Sequence, residues 1–122
     1  MQRNRRIVAM SIVLAIGLTA CGGSGTGASG PSGVAVDSLE LTESGAAGLT
    51  IYNSRCATCH RSDLSGGTGP ALGPDSAAAG KSPEVILQII TRGATGMPSW
   101  AGILTDQEIS DVVAFLLEAQ GR

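Results

Sequence analysis

Cys56-Ala57-Thr58-Cys59-His60 is the segment of this 122-residue chain with the clearest chemical content. Two thiols three residues apart can add to the two vinyl groups along one edge of a haem, and a histidine directly after the second can reach the iron. This C-x-x-C-H spacing is a signature of covalent haem attachment. Two other chemistries use such cysteines. A thioredoxin-like dithiol needs a strand-helix-strand setting and a thiolate activated at a helix N-terminus. A zinc site needs a fourth Cys, His or carboxylate ligand at suitable spacing. The chain has no strand pattern, and apart from Cys21 it has no further Cys or His. Haem attachment is the favoured reading, with one covalent haem c expected.

His60 is the sole histidine, so one chain cannot supply a bis-histidine pair, and the second axial position needs another donor. Met97 is the candidate. Met1 and Met10 fall in the N-terminal segment, while Met97 sits in a loop reading Gly96-Met97-Pro98. A thioether is a good ligand for haem iron, although a lone methionine is otherwise an ordinary core filler. With both axial positions filled, small molecules find no vacant site, which favours electron transfer over catalysis. The chain is therefore not expected to be an enzyme.

Three helices are needed to position these residues. Leu49, Tyr52 and Cys56 are three and four apart, which predicts a helix over 45–55 that delivers the cysteines. Ser82-Pro83-Glu84 ahead of Val85-Ile86-Leu87 and Ile89-Ile90, closed by Arg92-Gly93, gives a cap, a first-turn proline and a terminating glycine. Thr105-Asp106-Gln107-Glu108 is a capping box that opens a run with Ile109, Val112, Val113, Leu116 and Leu117 on one face. Residues 62–80 are rich in Gly, Pro and Ala and carry no alternating pattern, so the expected class is all-α.

The N-terminal segment has the parts of an export signal: Arg3, Arg5 and Arg6, an apolar run from Ile7 to Leu18, then small residues. A run of about a dozen residues is too short to cross a bilayer, which takes roughly 20. Arg5-Arg6 matches the twin-arginine pattern poorly, and general secretion is preferred. Leu18-Thr19-Ala20-Cys21 resembles the bacterial lipobox, whose cysteine receives a diacylglycerol and becomes the new N-terminus. The alternative is an ordinary secretory signal with a cysteine near its cleavage point. Residues 22–33 are almost wholly Gly, Ser, Thr and Ala, a flexible tether with a root-mean-square span of roughly 20 Å. The expected organisation is a signal over 1–20, lipidated Cys21 and linker over 21–43, with 34–43 ambiguous, and a domain over 44–122.

Of eight Lys/Arg in the chain, Arg3, Arg5 and Arg6 leave with the signal, so five remain against ten Asp/Glu, a net charge of about −5. That balance argues against nucleic-acid binding, which needs cations to displace counterions from phosphates. One Phe, one Trp and one Tyr against 18 Gly leave little aromatic bulk for a core. A large flat apolar cofactor supplies what such a chain lacks, and folding and haem binding are expected to be coupled.

From about residue 45 onward the sequence resembles the class I cytochrome c family, in its bacterial short-chain branch. The motifs that carry the resemblance are Cys56-Ala57-Thr58-Cys59-His60, Gly69-Pro70-Ala71-Leu72, Gly96-Met97-Pro98-Ser99-Trp100, and Leu104-Thr105-Asp106 leading into Ile109, Val112, Val113, Phe115 and Leu116. The resemblance implies a small cytochrome c fold of three main helices around one covalent haem. It implies that the Pro70 carbonyl accepts a bond from the second ring nitrogen of His60, with Leu72 beside it at the cofactor. It also implies a close helix crossing at Gly48 and Phe115, with Tyr52 and Trp100 as packing residues. Arg61 departs from the family, which often has a small residue after the histidine. The implied role is a one-electron carrier lipid-anchored to a bacterial membrane. Its domain faces the periplasm or cell exterior, and its partners are membrane redox complexes or other electron-transfer proteins. A haem peroxidase and a dedicated redox subunit of a larger dehydrogenase or oxidase are the competing readings.

Overall fold

The computed structural model describes residues 33–122, in which four α-helices and one 3-10 turn are connected by loops and no β-strand forms. Helix α1 spans Glu43–Arg55, α2 Ala57–His60, α3 Pro83–Arg92 and α4 Asp106–Ala119. The expected signal, the expected lipidation site Cys21 and residues 22–32 of the expected tether lie outside the described residues.

The helix ends follow from their capping residues. The Thr42 hydroxyl accepts from the Gly45 amide at 3.1 Å and starts α1 two residues before the sequence-predicted position. Ser82 caps α3 with Pro83 in its first turn, and Gly93, at φ 77°, ends it. At α4 both arms of the capping box form. Thr105 accepts from the Glu108 amide at 3.2 Å, and the Glu108 carboxylate accepts from the Thr105 amide at 2.8 Å. Thr105→Ala is expected to cost about 1 kcal/mol, read as a lower Tm at neutral pH. The Thr105 amide and hydroxyl, and to a lesser degree Arg55, hold the Glu108 carboxyl below the usual range. A depressed folded pKa stabilises above the ordinary carboxylate value and is lost as pH falls through the folded one. The variant keeps the Thr105 amide but loses the bond from the hydroxyl to the Glu108 carboxylate, at 3.0 Å, so its deficit shrinks on acidification, and an equal deficit at acid and neutral pH would show that this bond contributes nothing.

The dominant packing is α1 across α4. Gly45, Gly48 and Tyr52 form the buried face of α1, while α4 contributes Ile109, Val112, Val113, Phe115, Leu116 and Ala119. Tyr52 and Phe115, both fully buried, meet with ring centroids 5.1 Å apart and planes tilted by 54°. Gly48 faces the α4 backbone: an added Cβ would run into the Asp111 carbonyl and stand 2.9 Å from the Val112 nitrogen. The crossing implied by the resemblance is present, with the glycine meeting main chain and the aromatic packing one turn along. Helix α3 closes the core with Ile86 and Ile90. Residues Val34, Val36, Leu39 and Leu41 pack against the same core, and the Val34 amide donates to the Asp63 carbonyl at 2.7 Å.

Candidate cofactor site

Cys56 ends α1 and begins α2, a helix of a single turn held by the bonds from the His60 amide to the Cys56 carbonyl at 3.0 Å and from the Arg61 amide to the Ala57 carbonyl at 2.8 Å. That turn sets Cys56, Cys59 and His60 along the wall of one cavity. The chain then reverses at Arg61, a non-glycine residue at φ 61°. The Arg61 carbonyl accepts from the buried Tyr52 hydroxyl at 2.8 Å, so Tyr52 steadies the backbone beside His60 as well as filling the core. Burial raises the Tyr52 pKa, with smaller contributions from Cys56 and Asp63, and the hydroxyl remains a donor.

The loop after Arg61 folds back over α2. The Gly69 amide donates to the Cys59 carbonyl at 2.9 Å, and the Leu72 amide to the Leu64 carbonyl at 2.9 Å. This brings the Pro70 carbonyl to 2.8 Å from His60 Nδ1. A carbonyl oxygen only accepts, so Nδ1 carries the proton and Nε2 keeps the lone pair in the neutral ring, the form a metal ligand requires. The close fit needs glycine at 69, because an added Cβ would lie 2.6 Å from His60 Cε1 and 2.8 Å from Nδ1.

Met97 arrives from another direction. A tight turn at Ala94–Met97 is closed by reciprocal backbone bonds of 3.1 and 2.9 Å. It is fastened to the end of α3 by the Ser99 hydroxyl on the Thr91 carbonyl at 2.7 Å and the Trp100 amide on the Ile90 carbonyl at 3.1 Å.

Cys56, Cys59, His60, Pro70, Leu72 and Met97 all line one cavity of about 850 Å³. Its size lies within the roughly 300–1,000 Å³ of cofactor pockets. Ile86, Ile90, Leu116 and Trp100 make much of the wall apolar. Two thiols, an oriented imidazole and a thioether around a large apolar slot suit a covalently held haem. They do not suit a thiol-redox site: burial, with a smaller contribution from Cys59, pushes the Cys56 thiol up to about 11, whereas an activated thiol is shifted down. Among the described residues, no three His, Cys, Asp or Glu side chains cluster as a metal site.

Sequence reasoning missed several contributors. The one-turn α2 was read only as a motif, and Gly69 gave no sign of being the cradle of the imidazole. Gln120, buried at the C-terminal end of α4, lines the cavity and donates from Nε2 to the Leu72 carbonyl at 2.9 Å. A glutamine just past an amphipathic helix carries no signal of that kind.

An all-helical domain around a slot bearing C-x-x-C-H defines a small c-type cytochrome. Residues 43–116 match the family model described as cytochrome C oxidase, cbb3-type, subunit III, and the chain belongs to that family. Cytochrome c55X of Stutzerimonas stutzeri is 40% identical over 65 residues, which cover 52% of this chain and 57% of that protein. The chain thus spans little more than half the length of that relative. The structure of the c-type cytochrome NirC superposes with a TM-score of 0.53 at 35% identity, covering 60% of this chain and 87% of that one. Cytochrome c6 from the diatom Phaeodactylum tricornutum superposes with a TM-score of 0.54 at 30% identity, covering 63% and 94%. The cofactor of these cytochromes is one covalent haem c, and Cys56 and Cys59 stand in the matching C-x-x-C-H position.

Proposed function

We propose that this chain is a membrane-tethered one-electron carrier whose haem c is attached through Cys56 and Cys59 and ligated axially by His60 and Met97. The observation that carries the reading is that His60, held by Pro70, and Met97, held on the α3 loop, line the same cavity as both cysteines. Bound haem supplies a one-electron couple. The chain's part is to fix the imidazole tautomer, present a thioether on a fastened loop, and surround both with apolar side chains. Thioether ligation and burial away from water favour the ferrous state and so raise the potential.

Export and anchoring rest on the N-terminal sequence. The charged start, the short apolar run and Leu18-Thr19-Ala20-Cys21 support lipidation at Cys21, and residues 22–33 support a tether that lets the domain reach redox partners outside the cytoplasm. Respiratory or photosynthetic membrane complexes and other electron-transfer proteins are the proposed partners.

The test is expression of the whole chain alongside haem-attachment machinery. Haem is expected to stay with the polypeptide after denaturation, to titrate as one electron, and to be found in the membrane fraction. Cys21→Ala is expected to move essentially all of the protein to the soluble fraction with haem still attached. A Cys21→Ala protein as membrane-bound as wild type would sink the anchor, and haem that extracts freely would sink the attachment. Stable co-purification with a larger complex would replace the mobile carrier with a dedicated subunit.

A further inference from the structure

Three charged side chains line the cavity, Arg55, Asp75 and Lys81, and the two cations belong to segments tied to opposite ends of helix α4. Arg55 adjoins Cys56, and its charge acts on Glu108 in the first turn of α4. The loop that ends in Lys81 is tied to the other end of the same helix. The Arg122 guanidinium, just past α4, donates to the Ala79 carbonyl at 3.3 Å and to the Lys81 carbonyl at 2.9 Å. Helix α4 has 14 residues. At 1.5 Å per residue its two ends are roughly 21 Å apart.

Haem is polarised in the same sense, with its vinyl groups along one edge and its two propionates along the opposite edge. With the cysteines holding the vinyl edge next to Arg55, the carboxylates would fall to the Lys81 end. That end offers donors. The loop from Gly73 to Lys81 folds into successive tight turns through the bonds Ser76 to Gly73 at 3.0 Å, Ala79 to Ser76 at 3.1 Å and Lys81 to Ala78 at 3.1 Å. The amides of Ala77 and Ala78, both residues on the cavity wall, are left without an acceptor among the described residues. The exposed Lys81 lines the same wall, and Gln120 closes this end from α4.

We propose that the Gly73–Lys81 loop is the carboxylate end of the site, with the Lys81 ammonium and the Ala77 and Ala78 amides receiving the haem propionates. The inference rests on the haem reading above. Lys81 is then a binding residue for the cofactor, paired through charge-assisted hydrogen bonds of the kind that shift carboxylate vibrations. It also acts on the redox centre: a cation near the haem favours the state with one positive charge fewer, the ferrous state, while Asp75 opposes it.

The experiment uses the whole haem-loaded chain grown so that carbon-13 enters the haem only at its two propionate carboxylates. Redox-difference infrared spectra are compared for wild type, Lys81→Gln, Lys81→Arg and Arg55→Gln. The isotope-marked carboxylate bands are expected to move in Lys81→Gln, to return towards wild type in Lys81→Arg, and to stay in place in Arg55→Gln. Bands that do not move in Lys81→Gln, or that move equally in Arg55→Gln, overturn the assignment while the visible spectrum shows the haem and its axial pair intact. Absence of covalent haem from wild type would instead overturn the function on which the assignment rests.

Discussion

Replacing Met97 by alanine is expected to remove the long-wavelength sulfur-to-iron band of the oxidised protein, lower the midpoint potential, and let carbon monoxide bind the ferrous form. The reason is the scarcity of substitutes. His60 is the only imidazole, and the other methionines are Met1 and Met10 in the N-terminal segment. The Met97 loop is also fastened at several points, by the Ala94–Met97 bonds, by Ser99 on Thr91 and by Trp100 on Ile90. Truncating the side chain should therefore leave the loop in place with a gap at the ligand position. Loss of a thioether donor removes the preference for ferrous iron, which sets the direction of the potential change. The visible spectrum and carbon monoxide titration of the two proteins decide the matter. If the band persists in the variant, or wild type already binds carbon monoxide, Met97 is not the ligand and the peroxidase reading gains ground.

The same loop shows what a sequence does and does not disclose. Met97 could be singled out as a residue of the cavity because its type is rare in this chain and its chemistry is specific, and His60 with the two cysteines because their spacing is. Helices α3 and α4 were legible because their signals are local: Ser82-Pro83 and Gly93 bound one, and a capping box opens the other. Helix α1 was placed correctly, but hydrophobic spacing marks only part of its buried face, and Gly48 was reached only through the family resemblance. Leu49 served as a marker of the apolar stripe but is only half-buried, whereas Gly45 and Gly48, which carry no hydrophobic signal, are buried. The packing surface of α1 is made by absence of side chain, and hydrophobic periodicity cannot register that.

What stayed hidden depends on contacts between distant positions. Gly69 is essential only because the imidazole of His60 lies against it, and Tyr52 matters to the site only because its hydroxyl reaches the Arg61 carbonyl. The segment 34–41 has no periodic pattern, but four of its apolar side chains lie on the core. Its attachment at Asp63 involves a loop, whose conformation follows from the folded-back α2 region and not from local preference. Lys81 and Gln120 belong to the cavity wall through the chain's return past α4, far in sequence from the cysteines.

Gly48→Ala is expected to be among the most destabilising single-methyl additions in the domain. On an exposed helical surface this change stabilises, by about 1 kcal/mol, because alanine loses less backbone entropy than glycine. At Gly48 the added carbon would meet the Asp111 carbonyl and the Val112 nitrogen, both backbone atoms inside α4. A flexible side chain could rotate away, but a helix backbone cannot, so α1 and α4 must separate along their whole crossing. Overpacking of this kind typically costs about 1–3 kcal/mol and occasionally more. Here the Tyr52–Phe115 contact one turn away opens with it. In a domain this small each kcal/mol lowers Tm by about 4–8 °C. Thermal melts of haem-loaded wild type, Gly48→Ala and Ala46→Gly, the last on the exposed face of α1, separate the two effects. Ala46→Gly should lose only the propensity difference, and Gly48→Ala should lose more, with the Tyr52–Phe115 pair becoming solvent-accessible in near-UV spectra. A Gly48→Ala protein that melts at or above wild type would mean that the helices cross farther apart than this structure places them.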